Sequence, residues 1–404
     1  MTQNHFDIIV VGGGIAGSAS ALGLAQLGYS VAHMNPKPTT THPNDTWDSR
    51  IYALSQSSVA LLKRLHVWDA LDTSRICPVS DMRVMGDIND DDVLRGSLHL
   101  SAYSSALPEL AWIVEQRHIQ TILDQALRFT PNVQRFDATA TELIITDSEV
   151  RLSTSNEALQ ASLIVGADGA NSWVRQSLGI ETEVFDYQRF GVVANFSISQ
   201  PHHNTAYQWF LSDGEVLALL PLPNQMVSMV YSCTKAHADI WCNAPSDALS
   251  AHIGQLSSHT LGSLTALSRA QSFPLKRQRA QHLVSQRALL ISDAAHTMHP
   301  LAGQGLNLGL QDLTSLLDTL LESQASEPHR SIDDPVLLRR YERACATPTF
   351  EMQSVTHALQ RLFASHHPII RHARNMGMNV LDIIPPLKRR LIQQAMGHAP
   401  TEFK

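Results

Sequence analysis

Two glycine clusters carry the residue types and spacings that could do chemistry. Near the start, Gly12-x-Gly14-x-x-Gly17 follows the apolar run Asp7-Ile-Ile-Val-Val11 and opens an Ala- and Leu-rich stretch closed by Gly28. At such a strand–loop–helix step the first glycine permits a tight turn. The second lets the backbone approach a pyrophosphate, and the third allows close helix–strand packing. Ala16 falls in the same step, where the helix N-terminus favours phosphate charge. The acid expected about 20 positions on, to hold a ribose at the end of the second strand, is Asn35 in this chain. Asparagine keeps a hydrogen-bonding carbonyl and loses the charge.

The second cluster lies in Leu289-Leu-Ile-Ser-Asp-Ala-Ala-His-Thr-Met-His-Pro-Leu-Ala-Gly-Gln-Gly-Leu-Asn-Leu-Gly-Leu-Gln-Asp312. A strand is expected to end at Asp293, whose carboxylate could accept hydrogen bonds from a polyol chain. Pro300 stiffens a turn, and Gly303 and Gly305 leave backbone N–H groups exposed at the start of a helix. Such a helix start stabilises negative charge of the kind a reduced flavin acquires near its N1–C2=O edge. His296-x-x-His299 invites a metal, but a catalytic zinc needs about three protein ligands and no HExxH pattern accompanies the pair, so no metal is expected. No side chain stands out as a general base, and no catalytic residue is assigned. Nothing later resembles a second GxGxxG, which disfavours two-dinucleotide reductases; a one-cofactor nicotinamide dehydrogenase stays open on the first motif alone.

The elements that must position these loops follow from periodicity. Tyr29–Met34 reads as the second strand and Ser55–Leu65 as a helix. Met82–Met85 and Leu94–Leu100 read as strands around an acidic tip, Arg117–Phe129 as a helix, and Ala161–Val165 as a buried strand running into Gly166-Ala-Asp168-Gly169. Strands are expected at Phe190–Ile198, Thr205–Leu211, Val216–Leu222 and Met226–Cys233, then a helix near Pro245–Leu256 and a strand over Ala288–Ser292. A helix with Leu313, Leu316, Leu317 and Leu320 on one face follows, and the chain is helical after Pro348.

Composition sets the limits. The 404 residues, 44% hydrophobic and 17% charged, exclude a disordered chain, a collagen and a disulfide miniprotein, and allow two to three domains. The formal charge of −7 argues against nucleic acid as a partner. Four scattered cysteines without a CxxC pair fit a reducing compartment. The start MTQNHFD lacks a basic signal-peptide region, so a cytoplasmic location is expected. Charge is uneven: residues 361–404 carry seven basic and two acidic side chains, a +5 tail on a −12 body.

The segment His299-Pro-Leu-Ala-Gly-Gln-Gly-Leu-Asn-Leu-Gly-Leu-Gln-Asp312 resembles the signature of the ubiquinone-biosynthesis hydroxylases. These are FAD-dependent aromatic monooxygenases with the para-hydroxybenzoate hydroxylase fold. Asp48-Ser-Arg50 with Ala53-Leu-Ser, Leu65-His-Val-Trp68-Asp, Gly166-Ala-Asp168-Gly169-Ala-Asn-Ser-x-Val-Arg175, Phe273-Pro-Leu and Arg371-x-x-Arg374-Asn with Pro385-Pro386-Leu-Lys agree in order, so the resemblance spans nearly the whole chain. Ser292 stands where the family usually has Gly, and Asn35 where it has an acid.

The resemblance implies an α/β fold: a Rossmann-like FAD-binding domain, an inserted β-sheet-rich substrate domain and a C-terminal helical segment. The boundaries read as 1–75, 109–182 and 270–345 for the first, 76–108 and 183–269 for the second, and 346–404 for the third. It implies that Gly12, Gly14 and Gly17 hold the FAD pyrophosphate, Asn35 the ribose and Asp293 the ribityl chain. Arg50 would add phosphate contacts and Gln116 a polar flavin contact. Gly303, Gln304, Gly305, Leu306 and Asn307 would meet the isoalloxazine through their backbone, with Pro300 beside them. Asp168 would be partly structural and partly turned to pyrophosphate or NAD(P)H.

The implied reaction is hydroxylation of a polyprenylated phenol through a flavin C4a-hydroperoxide, with NAD(P)H as reductant and O2 as co-substrate. Tyr207, Trp209, Leu220 and Pro300 are candidate substrate contacts, although an ordinary sheet core explains the first three as well. Leu387, Leu391, Ile392 and Ala395 share a helical face flanked by Lys388, Arg389 and Arg390. That pattern suits peripheral contact with an anionic membrane, or packing on the protein body; other ubiquinone-biosynthesis proteins are candidate partners. A small-phenol monooxygenase and a non-catalytic, flavin-poor subunit of a biosynthetic complex remain as alternatives.

Overall fold

The structure, a computed structural model, describes residues 5–36, 47–86, 96–211, 214–298, 304–346, 375–379 and 382. The apolar opening run forms the strand His5–Val11 at the centre of a sheet whose parallel part also contains Val31–Met34, Val133–Phe136, Ala158–Gly166 and Ala288–Leu290. Ile8, Ile9 and Val10 are fully buried, as a parallel strand covered on both faces requires. All five parallel strands therefore end on one edge of the sheet. From His5–Val11 the chain first adds strands on one side and later on the other. The step between Val11 and Gly166 is thus the crevice where such sheets bind ligands.

The helix Ile15–Gln26 packs between that sheet and the helices Gln116–Arg128 and Gly305–Ser326. Its small residues permit this: a Cβ on Gly23 would meet a Leu317 methyl at 2.8 Å. Gly305–Ser326 turns Leu313, Leu316, Leu317 and Leu320 into the same core.

A nine-stranded sheet forms the second layer. The long strand Thr182–Ile198 pairs antiparallel with both Met226–Cys233 and Gln271–Ala280, and Thr205–Phe210 pairs in parallel with Asp81–Met85. The two sequence-distant strand groups expected in one substrate unit thus share a sheet. Gln271–Ala280, which the sequence reading grouped with the nucleotide-binding part, belongs to this sheet instead. The helices Lys235–Asn243, which periodicity did not reveal, and Ser246–Leu256 cover one face. The other face packs toward a small sheet of Ile51–Leu54, Cys77–Val79 and Ala111–Glu115. The edge strand Ser97–Ser101 is capped from residues near the end of the chain. Its Ser97 and His99 N–H groups donate to Asn379 and Asp382, each at 2.9 Å. The acidic tip near Asp90 and the expected helices at 351–362 and 387–395 lie outside the described residues.

Candidate functional site

The first glycine loop leaves the carboxyl edge of the central strand. Gly12 has φ +132°, and a Cβ there would stand 2.1 Å from the Ala167 carbonyl oxygen; one on Gly17 would stand 2.0 Å from the Gly12 oxygen. Both glycines are demanded by the protein's own packing. Gly14 differs: its φ of −77° and ψ of 178° suit any residue, and its Cβ position has no atom within 4 Å. That opening lies at the N-terminus of Ile15–Gln26, with Ala16 buried in the first turn. Asn35 is buried beside the loop, so close that a Cβ on Gly13 would meet its Oδ1 at 2.0 Å.

Residues that motif reading did not pick out support this loop from behind. His33 Nε2 lies 3.0 Å from the Gly12 carbonyl. Burial drives the imidazole's pKa down, more than the Gly12 bond raises it, so a neutral ring donates here. Ser18 Oγ donates to the Gly13 oxygen at 3.4 Å and accepts from Gln120 Nε2 at 2.9 Å. A strand histidine and a helix glutamine have no motif, so only their position in the fold exposes the role.

The second loop starts where Ala288–Leu290 ends. A short 3-10 turn, Ser292–Ala294, presents Asp293 with its carboxylate open to the cleft. The surrounding protein pushes the Asp293 pKa up, against the opposing charges of His296 and Arg50. Arg50 Nη1 donates to Gln116 Oε1 at 3.2 Å, and the Gln116 N–H donates to the Arg50 carbonyl at 3.0 Å. Two residues 66 positions apart thus form one unit beside Asp293. The Tyr52 hydroxyl also reaches Gln116 Oε1, at 3.4 Å; burial pushes its pKa up to about 12, so it stays a neutral donor.

The helix Gly305–Ser326 begins at Gln304, and the Cβ position of Gly305 is open. Leu306 is half-buried at this helix start. The Asn307 side chain is committed to the protein. Its Oδ1 accepts from Ser55 N at 2.9 Å and Ser58 Oγ at 2.7 Å, while its Nδ2 donates to the Ala53 carbonyl at 2.8 Å and Gln304 Oε1 at 3.1 Å. Only its backbone is left for a ligand. Pro300 and Gly303 lie outside the described residues.

Asp168 is structural in this geometry. Its carboxylate accepts from Ser172 Oγ at 2.5 Å and from the Trp173 and Val174 N–H groups at 2.7 and 3.1 Å. It therefore caps the short helix Trp173–Ser177. Arg175, buried nearby, donates to the Ala170 and Ala294 carbonyls, both at 2.8 Å, and so ties this motif to the Asp293 turn. Ser292, where the family pattern has glycine, sits at φ +55° with its hydroxyl over Gly309. A left-handed serine costs about 1 kcal/mol. Ser292→Gly is therefore expected to raise the thermal midpoint slightly, by roughly 0.5 kcal/mol once the freer unfolded chain is counted. An unchanged or lowered midpoint in calorimetry would refute the strain.

The candidate substrate residues separate. Tyr207 and Trp209 stack at 5.8 Å on the sheet face covered by the two helices, within a packed core. They share a face because they are two apart on one strand. Leu220 lies on the opposite face, with Ala206, Phe210 and Leu222, toward Ile51, Ala53 and Ile113. The ordinary-core alternative thus describes Tyr207 and Trp209, and of the three sheet residues singled out only Leu220 lies on the face toward Ile51, Ala53 and Ile113. Among the described residues no cluster of His, Cys, Asp and Glu could hold a metal.

Residues 5–347 match the family model described as an FAD binding domain. The chain is 34% identical over 408 residues to the 3-demethoxyubiquinol 3-hydroxylase of Escherichia coli, covering 98% of this chain and all of that one. The chain belongs to the ubiquinone-biosynthesis hydroxylases, a family of FAD-dependent monooxygenases. The ubiquinone hydroxylase UbiL of Rhodospirillum rubrum is 30% identical, with 97% of this chain and 89% of that protein covered. The crystal structure of the p-nitrophenol 4-monooxygenase of Pseudomonas putida shares the fold, with a TM-score of 0.77 at 17% identity, over 98% of this chain and all of that one.

The site fits FAD. Openings at Gly14 and Gly305 lie at two helix starts, and Arg50, Gln116 and the free Asp293 carboxylate stand together beside the second.

Proposed function

We propose that the protein hydroxylates the ring of a polyprenylated phenol in ubiquinone biosynthesis. The observation that carries this reading is the Arg50–Gln116–Asp293 group beside a helix start pinned by Asn307, under the apolar sheet face that bears Leu220. Gly12, Gly14, Ala16 and Gly17 would hold the FAD pyrophosphate, Asn35 the ribose, Asp293 the ribityl hydroxyls, and Arg50 and Gln116 the polar parts between. Gln304, Gly305, Leu306 and Asn307, with Pro300 and Gly303 before them, would meet the ring system. Bound FAD, reduced by NAD(P)H, supplies activation of O2. The chain's own part is to orient the phenol against the flavin, to exclude water with the Leu220 face, and to stabilise flavin charge with the Gly305 helix start. We read the division as an FAD-binding part interleaved with a substrate part, the strand Gln271–Ala280 going with the latter.

Product analysis with short-chain polyprenylphenols against simple hydroxybenzoates, under O2 and NAD(P)H, tests the substrate class. Oxygen inserted only into hydroxybenzoates would sink it.

No helix among the described residues is long and apolar enough to cross a membrane. The basic, amphipathic residues 385–404 support reversible contact with an anionic surface, where a polyprenylated substrate would reside. Removal of those residues is expected to reduce flotation with anionic liposomes severalfold. Equal flotation of both forms would reject the contact.

A further inference from the structure

The His296-x-x-His299 pattern, set aside as a metal site, leaves a buried histidine to be explained. His296 Nε2 lies 2.7 Å from Asp312 Oδ2, with both side chains almost fully buried. The same carboxylate oxygen accepts the Ser292 N–H at 2.9 Å. Ser292 and His296 flank Asp293, so one oxygen on the helix Gly305–Ser326 clamps both ends of the segment that presents it.

We propose that Asp312 and His296 are a positioning pair that sets the place of Asp293 against the helix Gly305–Ser326 and holds the His296 imidazole beside its carboxylate. The inference rests on Asp293 holding FAD, as read above. A buried ion pair is a poor source of stability, because desolvation offsets the attraction, so its presence here calls for another role. Burial pulls the imidazole's pKa down, but the charge and hydrogen bond of Asp312, with Asp293 behind, raise it overall. The pair therefore favours the charged imidazolium. It opposes the desolvation by surrounding protein that raises the Asp293 pKa, and the Arg50 charge does the same.

The other polar groups at this point do not replace that charge. Arg279 pairs with His296 through the backbone, and Arg175 is bonded to the Ala170 and Ala294 carbonyls. Tyr341 donates to the Leu290 carbonyl at 2.8 Å, and burial raises the pKa values of Tyr341 and Cys345, leaving both neutral.

The test is FAD titration of apoprotein by flavin fluorescence from the most acid pH at which it stays folded up to about pH 8. A protonated Asp293 loses an acceptor for the ribityl hydroxyls, so affinity falls below its pKa. The acid limb of FAD affinity is expected to lie at higher pH in His296→Gln than in wild type, because without the imidazolium the carboxyl is protonated more readily. The double variant H296Q/D312N removes both charges, leaves a neutral donor–acceptor pair, and gives the same readout should H296Q fail to fold. A uniform loss of affinity at every pH, as a purely structural role predicts, would overturn the proposal. So would an acid limb that persists in H296Q/D293N. FAD affinity unchanged in Asp293→Asn would instead show that the ribityl assignment fails, independently of the pair.

Discussion

Alanine at position 14 is expected to leave a protein that folds as well as wild type and purifies without its yellow cofactor. The backbone at Gly14 is extended and open to any residue, and nothing in the protein lies within 4 Å of the new methyl. Ala there also lowers the entropy of the unfolded chain, a gain of about 0.5 kcal/mol. The methyl would occupy the space a pyrophosphate needs to reach the helix start, where N–H groups and the helix dipole act only at contact distance. A loss of about 2 kcal/mol corresponds to roughly 30-fold in Kd for FAD.

Gly17→Ala is the matched contrast. Its methyl would fall 2.0 Å from the Gly12 carbonyl oxygen, so the apoprotein itself should lose about 1–3 kcal/mol. Melting of the two apoproteins alongside FAD titration separates the cases. A Gly14→Ala protein that binds FAD like wild type would place the phosphates elsewhere.

That contrast shows what was legible from residue types. The glycine spacing marked the loop, but it treated Gly12, Gly14 and Gly17 alike; only packing separates two glycines required by the protein from one whose side the protein leaves open. The Asp293 carboxylate and the Gly305 helix start were readable because polar groups at strand ends and glycines at helix starts follow local rules. Arg50 and Gln116 were named separately, from family resemblance, and their contact was not read, since no local pattern links residues 66 apart. The face of Tyr207 and Trp209 could not be read, because Thr205–Phe210 is buried on both sides and period-two alternation then carries no direction. His33 and Gln120 were invisible for another reason. Their roles come from what lies beside them across the sheet and helix layers, not from their neighbours along the chain.

Asn307→Asp tests the other half of the site with an isosteric change. Asn307 uses two acceptor and two donor bonds to join the helix Gly305–Ser326 to Ala53, Ser55, Ser58 and Gln304. A carboxylate keeps the bonds from Ser55 N and Ser58 Oγ. It turns the former donor against the half-buried Ala53 carbonyl, while the Gln304 amide can rotate to donate to the new oxygen. A half-buried acceptor left facing a carboxylate costs roughly 1–3 kcal/mol, more than the stronger bonds from the serines return. Burial and that carbonyl would raise the new carboxyl's pKa, so the sign of the pH effect is fixed. Once protonated, the introduced acid supplies one donor again, and the penalty is small below about pH 4, the unfolded value. It grows as pH rises through the raised folded-state value and is complete above it. Urea unfolding of the apoprotein should therefore show the variant closest to wild type in mild acid and furthest from it near pH 8. Because the same side chain fixes the start of Gly305–Ser326, FAD affinity should fall in parallel with stability. A variant equally destabilised at every pH would mean that Asn307 acts through packing alone, and one that keeps full stability would remove it as the joint between the start of Gly305–Ser326 and the Ala53–Ser58 segment.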